Sequence, residues 1–400
     1  MATSSVKKCQ IAEGTSAATL DRYRHGLETA LGIPFTAGNA IDVYRNGDEI
    51  FPPMLDAISR SEEMVELLTF IYWKGDIAEK FVEVLSERAR AGVTVRVLLD
   101  GFGARPMPQR LVERMEDAGV QVRWFRPLPQ WKVWNVDNRT HRKILVCDGQ
   151  TGFTGGVGIA AEWEGHAQDS DHWRETHFRV RGPSVPALRA AFYQDWVEAE
   201  YRVDCALERV WPSQEAGDTL VQVLASTASV GFTDIAILHE ALVLLARKRL
   251  RITTPYFAPH ERDVEVIVDA ARRGVDIEII LPGPHIDKRV SELAASDDFE
   301  PLFEAGVKIW RYQPTMIHTK LVTVDGMLSC IGSANFNQRS SSKDDEIALC
   351  VLDPAFTQTM DSHFDEDRQN SVLTTLEDWK RRGMGRRARE TVARLMKGET

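Results

Sequence analysis

The sequence predicts an α/β protein built by internal duplication, and three observations carry that prediction. Two stretches repeat the order apolar strand, amphipathic helix, second strand. Each second strand opens on a Gly-Val pair. Each half then carries one copy of His-x-Lys-x4-Asp, at His141, Lys143 and Asp148 and again at His318, Lys320 and Asp325. A chain of 400 residues exceeds what one simple core usually holds, so two lobes are also the expectation from length.

In chain order, VELLTFIYW (65–73) reads as a strand, AEKFVEVLSERARA (78–91) as a helix and GVTVRVLLD (92–100) as a strand. RLRITTPYF (249–257), ERDVEVIVDAARR (261–273) and GVDIEIILP (274–282) repeat the series. In both halves the glycine ends the helix, because it accepts the left-handed backbone of a helix C-terminus, and the apolar run after it suits a strand of a parallel sheet. A further Gly-Val strand precedes each motif, GVQVRWFRP (119–127) and GVKIWRYQP (306–314). The path from Gly119 to His141 is ten residues longer than that from Gly306 to His318, and the extra segment, LPQWKVWNVDN, reads as a loop over the site or one packing its own tryptophans. WPSQEAGD (211–218) breaks all periodicity. The expected division is an N-terminal segment (1–40), a first lobe (41–212), a second lobe (213–375) and a basic C-terminal tail (376–400), with the sheets or sheet edges of the two lobes facing each other.

With 43% apolar residues, 27% charged and a net charge of -10, the chain reads as globular and soluble, and its surface as a whole is not a phosphate-binding field. Cys9, Cys147, Cys205, Cys330 and Cys350 show neither CxxC nor framework spacing, so reduced thiols in a cytoplasmic setting are expected. The first residues lack the apolar stretch of a secretory signal, and no run of about 20 apolar residues occurs, so any membrane contact is expected to be peripheral. Residues 380–397 carry eight basic side chains against one acid, which suits either an anionic membrane surface, with Trp379 beside it, or a terminal helix packing Leu376, Val392 and Leu395 on the body.

The motifs HRKILVCDG and HTKLVTVDG read as strands on which His and Lys, two apart, share a face. Counting from each histidine, Gly155 and Gly332 stand at +14 and Gly156 and Ser333 at +15, a turn whose backbone N–H groups would add to an anion pocket. A phosphodiester needs a nucleophile, an acid for the leaving alcohol and positive charge against its oxygens. Two histidines supply the first two and two lysines the third, through a covalent phospho-histidine that calls for no metal or cofactor. Each histidine also needs a carboxylate on its second nitrogen, and Glu175 and Glu346, 34 and 28 residues downstream, are comparably placed in their own halves. The spacing of His166, His172 and His177 matches no shared ion, although His172 and Trp173 are candidates for the entrance to the site.

On these residues the chain resembles the phospholipase D superfamily, and within it the bacterial cardiolipin synthases. The matching stretches are THRKILVCDGQTGFTGGVGIAAEW, DHWRETHFRVRGPSV, ITTPYFAP and IHTKLVTVDGMLSCIGSANFNQRSSSKDDE, within residues 40 to 375. The resemblance implies two phospholipase D-like βαβ lobes around one pseudo-two-fold active site. It implies His141 as nucleophile, His318 as acid, phosphate contacts from Lys143, Lys320, Asn335, Ser333 and Gly156, and a bracing role for Asp148 and Asp325. Two positions depart from the family pattern: Gly158, at +17, where Asn is frequent, and Asp344, where Asn is common before the acidic residue. The implied activity is phosphatidyl transfer between two phosphatidylglycerol molecules, giving cardiolipin and glycerol at the inner face of the cell membrane. The alternative is hydrolysis of a phospholipid or a nucleic-acid diester, of which the acidic composition disfavours the second.

Overall fold

A computed structural model describes residues 17–127, 138–200, 211–212, 214–228, 233–287 and 299–381. The 128–138 insertion falls, except for its last residue, outside the described residues, as do Val392 and Leu395 and the basic run beyond Arg381.

The first half runs β1 (Thr36–Arg45), α2 (Asn46–Ser59), β2 (Met64–Thr69), α3 (Asp76–Arg90), β3 (Thr94–Asp100), α4 (Gln109–Asp117), β4 (Gln121–Phe125), β5 (Arg139–Thr140), β6 (Ile144–Cys147), β7 (Thr151–Gly155), β8 (Thr176–Arg181) and α5 (Val185–Glu200), after an N-terminal helix α1 (Ala17–Leu31). The second runs β9 (Thr219–Ser226), α6 (Asp234–Leu245), β10 (Arg249–Thr253), α7 (Glu261–Arg272), β11 (Asp276–Pro282), α8 (Phe299–Glu304), β12 (Lys308–Tyr312), β13 (Leu321–Val324), β14 (Leu328–Gly332), β15 (Asp344–Leu352), α9 (Pro354–Gln369), β16 (Ser371–Thr374) and α10 (Leu376–Lys380).

Local chemistry accounts for the repeat. Gly92, Gly119, Gly274 and Gly306 all have φ between +87° and +94°, the left-handed conformation that ends a helix. In each case the following valine donates back to the carbonyl five residues earlier, as from Val93 to Arg88 (3.1 Å) and from Val275 to Ala270 (3.2 Å). The strands released this way are parallel: β2–β3–β4 in one half and β10–β11–β12 in the other. The central strands are covered on both faces, and all six residues of β2 are buried, Glu66 among them.

Hydrogen bonding links everything into one sixteen-stranded sheet, ordered β16-β12-β11-β10-β13-β14-β15-β9-β1-β8-β7-β6-β2-β3-β4, with β5 off this path on β15. The seam is the antiparallel pair β1–β9, where the register slips between Thr36 and Asn39. At this seam the two half-sheets turn inner faces toward each other and share one apolar layer, which includes Ile144, Phe178, Leu188 and Trp196 from the first half and Leu321, Ile331, Ile347 and Met360 from the second. The expected facing lobes are therefore also hydrogen-bonded into one sheet. Separate cores lie on the outer faces, under α2–α4 and under α6–α8.

Three expectations change. The regular ladder begins at Ile144 and Leu321, one residue after each lysine, so His and Lys sit on the extended lead-in to the strand and not within it. The N-terminal segment is part of the second half's core: Tyr23 and Leu27 of α1 are buried there, and β1 already starts at Thr36, inside the segment assigned to residues 1–40. Trp379, considered for a membrane interface, is buried between Phe299 and Phe303, with ring centroids 5.1 and 6.0 Å away.

The motif aspartates brace the fold. Asp148 and Asp325 occupy left-handed turn positions (φ 48° and 54°) between hairpin strands. The Asp148 carboxylate accepts the backbone N–H groups of Glu62, Glu63 and Met64 at 2.8–2.9 Å, and Asp325 accepts those of Arg247, Lys248 and Arg249 at 2.7–2.8 Å and the Tyr23 hydroxyl at 2.6 Å. Each therefore fixes the start of a parallel strand against the hairpin of its own motif. Asp325→Ala leaves those donors without an acceptor and is expected to cost about 3 kcal/mol of stability, read as a lower midpoint in urea unfolding.

Candidate active site

Each histidine is held by the other half of the chain. The His141 N–H donates to the Asp345 carbonyl (2.8 Å), beside the short parallel pairing of β5 with Asp344–Asp345 at the start of β15. The His318 N–H donates to the Arg174 carbonyl (2.8 Å), and the Arg174 N–H to Met316 (2.9 Å). Asp345 and Arg174 each immediately precede a glutamate, so these bonds set the carboxylate pairing. His141 Nδ1 lies 2.9 and 3.1 Å from the Glu346 oxygens, and His318 Nδ1 lies 2.7 Å from Glu175 Oε2. The assignment of each carboxylate to its own half's histidine is thereby corrected: the pairs are crossed, because face-to-face packing sets each histidine against the opposite half.

Both histidines, both lysines and both glutamates are buried, and they converge on one place. Lys143 Nζ donates to the His141 carbonyl (2.7 Å) and Lys320 Nζ to the His318 carbonyl (2.6 Å). Asn335 is buried nearby, and its side-chain oxygen has no hydrogen-bond partner among the described residues. Ser333 and Gly156, expected at the phosphate, sit behind the carboxylates. The Ser333 hydroxyl donates to Glu346, and a Cβ at Gly156 would stand 2.4 Å from Glu175 Oε2. The expected anion cradle of turn amides is not open in the second half, where the N–H groups of Ser333, Asn335 and Phe336 already donate to Ile347, Ser340 and Thr254.

Among the matched offsets at which the two copies differ, three bear on the site: Gly156 against Ser333, Gly158 against Asn335, and Trp163 against Ser340. Ser340 donates to Glu346 at 2.6 Å, so two hydroxyls as well as His141 serve that carboxylate. Burial would raise Glu346, but His141, Lys143 and the Ser333 hydroxyl outweigh it and hold the carboxyl at about 2. Glu175 has a glycine and an indole where the serines would be. Burial raises it to about 7 against the opposing pull of Lys320, the Thr176 amide, Arg174 and Trp163. Burial lowers His141 to about 4 even though Glu346 works the other way, so the ring is neutral at pH 7, and it lowers Lys143 to about 7. With Nδ1–H donated to an ionised Glu346, the His141 lone pair is on Nε2.

Aromatic rings flank the pairs unequally. Phe70 is 5.1 Å from His141, whereas Trp163, Trp173 and Tyr256 are 5.3, 5.3 and 6.3 Å from His318. Sequence reasoning assigned no role to Ser340, Trp163, Phe70 or Tyr256, although counting Trp163 and Ser340 in register from their histidines would have paired them. Trp173 lines the site as expected, whereas the His172 ring turns to Asp169 (2.7 Å). His166 faces Asp48 and His177 is buried on β8, so these three histidines do not converge. Asp344 is tied to Arg339 at 2.8 and 3.0 Å, and burial raises it to about 7.

Residues 54–196 and 241–368 match the family model described as cardiolipin synthase, PLD-like domain. The chain is similar to cardiolipin synthase 1 of Bacillus cereus, with 31% identity over 91% of this chain and 73% of that protein. It is likewise similar to cardiolipin synthase A of Pseudomonas aeruginosa, with 32% identity over 86% and 70% respectively. Its fold matches the crystal structure of a phosphatidylserine synthase from Haemophilus influenzae, with a TM-score of 0.67 and 16% identity, covering 94% of this chain and 99% of that one.

Because burial depresses Lys143 to about 7, the lysine is cationic below that pH and neutral above it. Sulfate, whose own charge is constant in this range, is expected to bind the site about tenfold more weakly for each pH unit above 7. Lys143→Arg keeps its charge throughout and should flatten that slope; calorimetric titration at several pH values measures both.

Proposed function

The chain belongs to the cardiolipin synthase, PLD-like domain family, and from that premise we propose that it joins two phosphatidylglycerol molecules into cardiolipin and glycerol through a phosphatidyl group carried on His141. The observation that carries the assignment of roles is the inequality of the two His–Glu pairs. In the first step the His141 Nε2 lone pair attacks phosphorus, and the bond to the glycerol oxygen breaks opposite it. That oxygen takes a proton from His318. The phosphorylated imidazole is cationic, and Glu346, held ionised at about 2, is its counter-ion. Glu175, raised to about 7, shares a proton with His318 near neutral pH, which suits a pair that gives up a proton and then takes one back. In the second step the hydroxyl of another phosphatidylglycerol attacks phosphorus and passes its proton to His318. The phosphorus–nitrogen bond breaks and neutral His141 returns. Lys143, Lys320 and Asn335 bind the phosphoryl oxygens, while Asp148 and Asp325 hold the strands that carry the site.

Both proposed substrates are membrane lipids, and we place the reaction at an anionic membrane surface on the inner face of the cell membrane. The basic composition of residues 380–397 supports that setting. Among the described residues no helix is long and apolar enough to cross a membrane.

Purified protein mixed with phosphatidylglycerol vesicles is expected to yield cardiolipin and glycerol by lipid mass spectrometry; intact donor after prolonged incubation would overturn the reading. His141→Ala should abolish turnover, and His318→Ala should slow it by about 10²- to 10⁴-fold. With a donor bearing a p-nitrophenyl leaving group, which needs no acid, His318→Ala should accumulate an adduct that intact-protein mass spectrometry locates on His141. An adduct on His318 in the His141→Ala variant would reverse the assignment.

A further inference from the structure

The transfer chemistry proposed above requires a phosphatidyl group on His141 to meet an alcohol before it meets water, and the His318 side of the site has a feature suited to that choice. In-line displacement places the leaving oxygen opposite His141, hence beside His318, and the incoming hydroxyl retraces that path. Three rings stand around His318: Trp163 edge-on at 5.3 Å (83°), Trp173 tilted at 5.3 Å (36°) and Tyr256 edge-on at 6.3 Å (82°). The two indoles form one surface and Tyr256 stands separately against the same histidine. Trp163 and Trp173 are in mutual contact at 4.5 Å, and the Trp173 N–H donates to the Glu162 carbonyl (2.6 Å), tying it to the turn Ala161–Trp163. The Tyr256 hydroxyl donates to Asp287 (2.7 Å), which fixes its ring.

On the Trp163 side the first copy of the motif lacks polar groups that the second copy carries. At the position matching Asn335 stands Gly158, and a Cβ there would lie 2.8 Å from Trp163 Cζ3 and 2.9 Å from Ile71 Cβ. The indole therefore occupies the room an asparagine side chain would need, so the glycine and the tryptophan belong together. Across the site the matching residues, Asn335 and Ser340, are polar, and among the described residues the ring in contact with His141 is that of Phe70.

We propose that Trp163, Trp173 and Tyr256 form the subsite for the leaving and entering alcohol, and that Trp163 seated over Gly158 favours an alcohol over water as acceptor. A glycerol unit brings carbon atoms that pack against ring surface, each buried methylene being worth roughly fourfold in binding. Water brings none and finds few partners among the rings. As the acceptor attacks, its O–H proton passes to His318, the new phosphorus–oxygen bond forms and the phosphorus–nitrogen bond to His141 breaks, whichever acceptor is used. The rings therefore act on the partition of one common intermediate and not on the chemistry of either branch.

The test measures that partition. Full-length protein acts on phosphatidylglycerol vesicles, and cardiolipin and phosphatidic acid, both made from the same intermediate, are quantified together. Two variants are compared with the parent: Trp173→Leu, and the double change Gly158→Asn with Trp163→Ser, which writes the second copy's residues into the first. The cardiolipin to phosphatidic acid ratio is expected to fall roughly tenfold in each, with the His141 adduct still formed from a p-nitrophenyl donor. A ratio within about twofold of the parent in variants that still form the adduct would overturn the subsite. If the double variant does not fold, by circular dichroism, Trp173→Leu decides alone, and if that also fails, Tyr256→Leu does. A parent that makes neither product, or only phosphatidic acid, refutes instead the transfer reading on which the proposal rests.

Discussion

Two backbone hydrogen bonds, from His141 to Asp345 and from His318 to Arg174, are the constraint on which the site depends. Each ties the lead-in of one half's motif to the residue just before the other half's glutamate, so neither half contains a complete His–Glu pair. The surroundings enforce this exchange. The buried Arg142 donates to the Ser226 carbonyl across the seam and to Asp195, and the buried Arg174 makes a two-pronged ion pair with Asp367 on α9. A buried guanidinium without its carboxylate is costly, so the Arg174–Asp367 pair holds the halves in one arrangement, while Arg142, paired with Asp195 of its own half, reaches across through the Ser226 carbonyl. The shared apolar layer supplies the bulk of the adhesion, and these polar ties fix its alignment.

Given that frame, a near-symmetric backbone acquires unequal chemistry from a few side chains. The crossed geometry is the same on both sides, yet one carboxylate is served by two serine hydroxyls and stays ionised, while the other faces a glycine and an indole and keeps a proton to about neutral pH. Two histidines of identical motif thus face carboxylates of different acidity. Pushing the acidities of paired groups apart is how one site runs nucleophilic and acid chemistry at a single pH.

Much of the fold was legible because it is written locally. The four Gly-Val helix ends and the parallel strands after them follow from residue-level preferences and stand where periodicity places them, whereas the motif His and Lys fall just ahead of the strands they were read on. The bracing role of the motif aspartates was implied by the family resemblance and not by local pattern; in the structure each carboxylate accepts backbone amides at the start of a neighbouring strand. The helix α1 and the burial of Trp379 were not legible: both depend on apolar surface of the second half that no pattern in their own segments reveals.

The sequence by itself marked residues that the structure brings together: two histidines, two lysines and two glutamates by chemistry and spacing within each copy of the repeat, and Asn335 through the family resemblance. Only the tertiary structure decided which glutamate serves which histidine, and that Ser333 and Ser340 act on Glu346 while Trp163 fills the space over Gly158. The physical reason is that spacing along the chain fixes which face a side chain takes within its own half, whereas a hydrogen bond or ring contact across two packed sheets depends on how the halves align. That alignment is set by the shared core and the buried Arg174–Asp367 pair across it, whose members are scattered through the whole sequence.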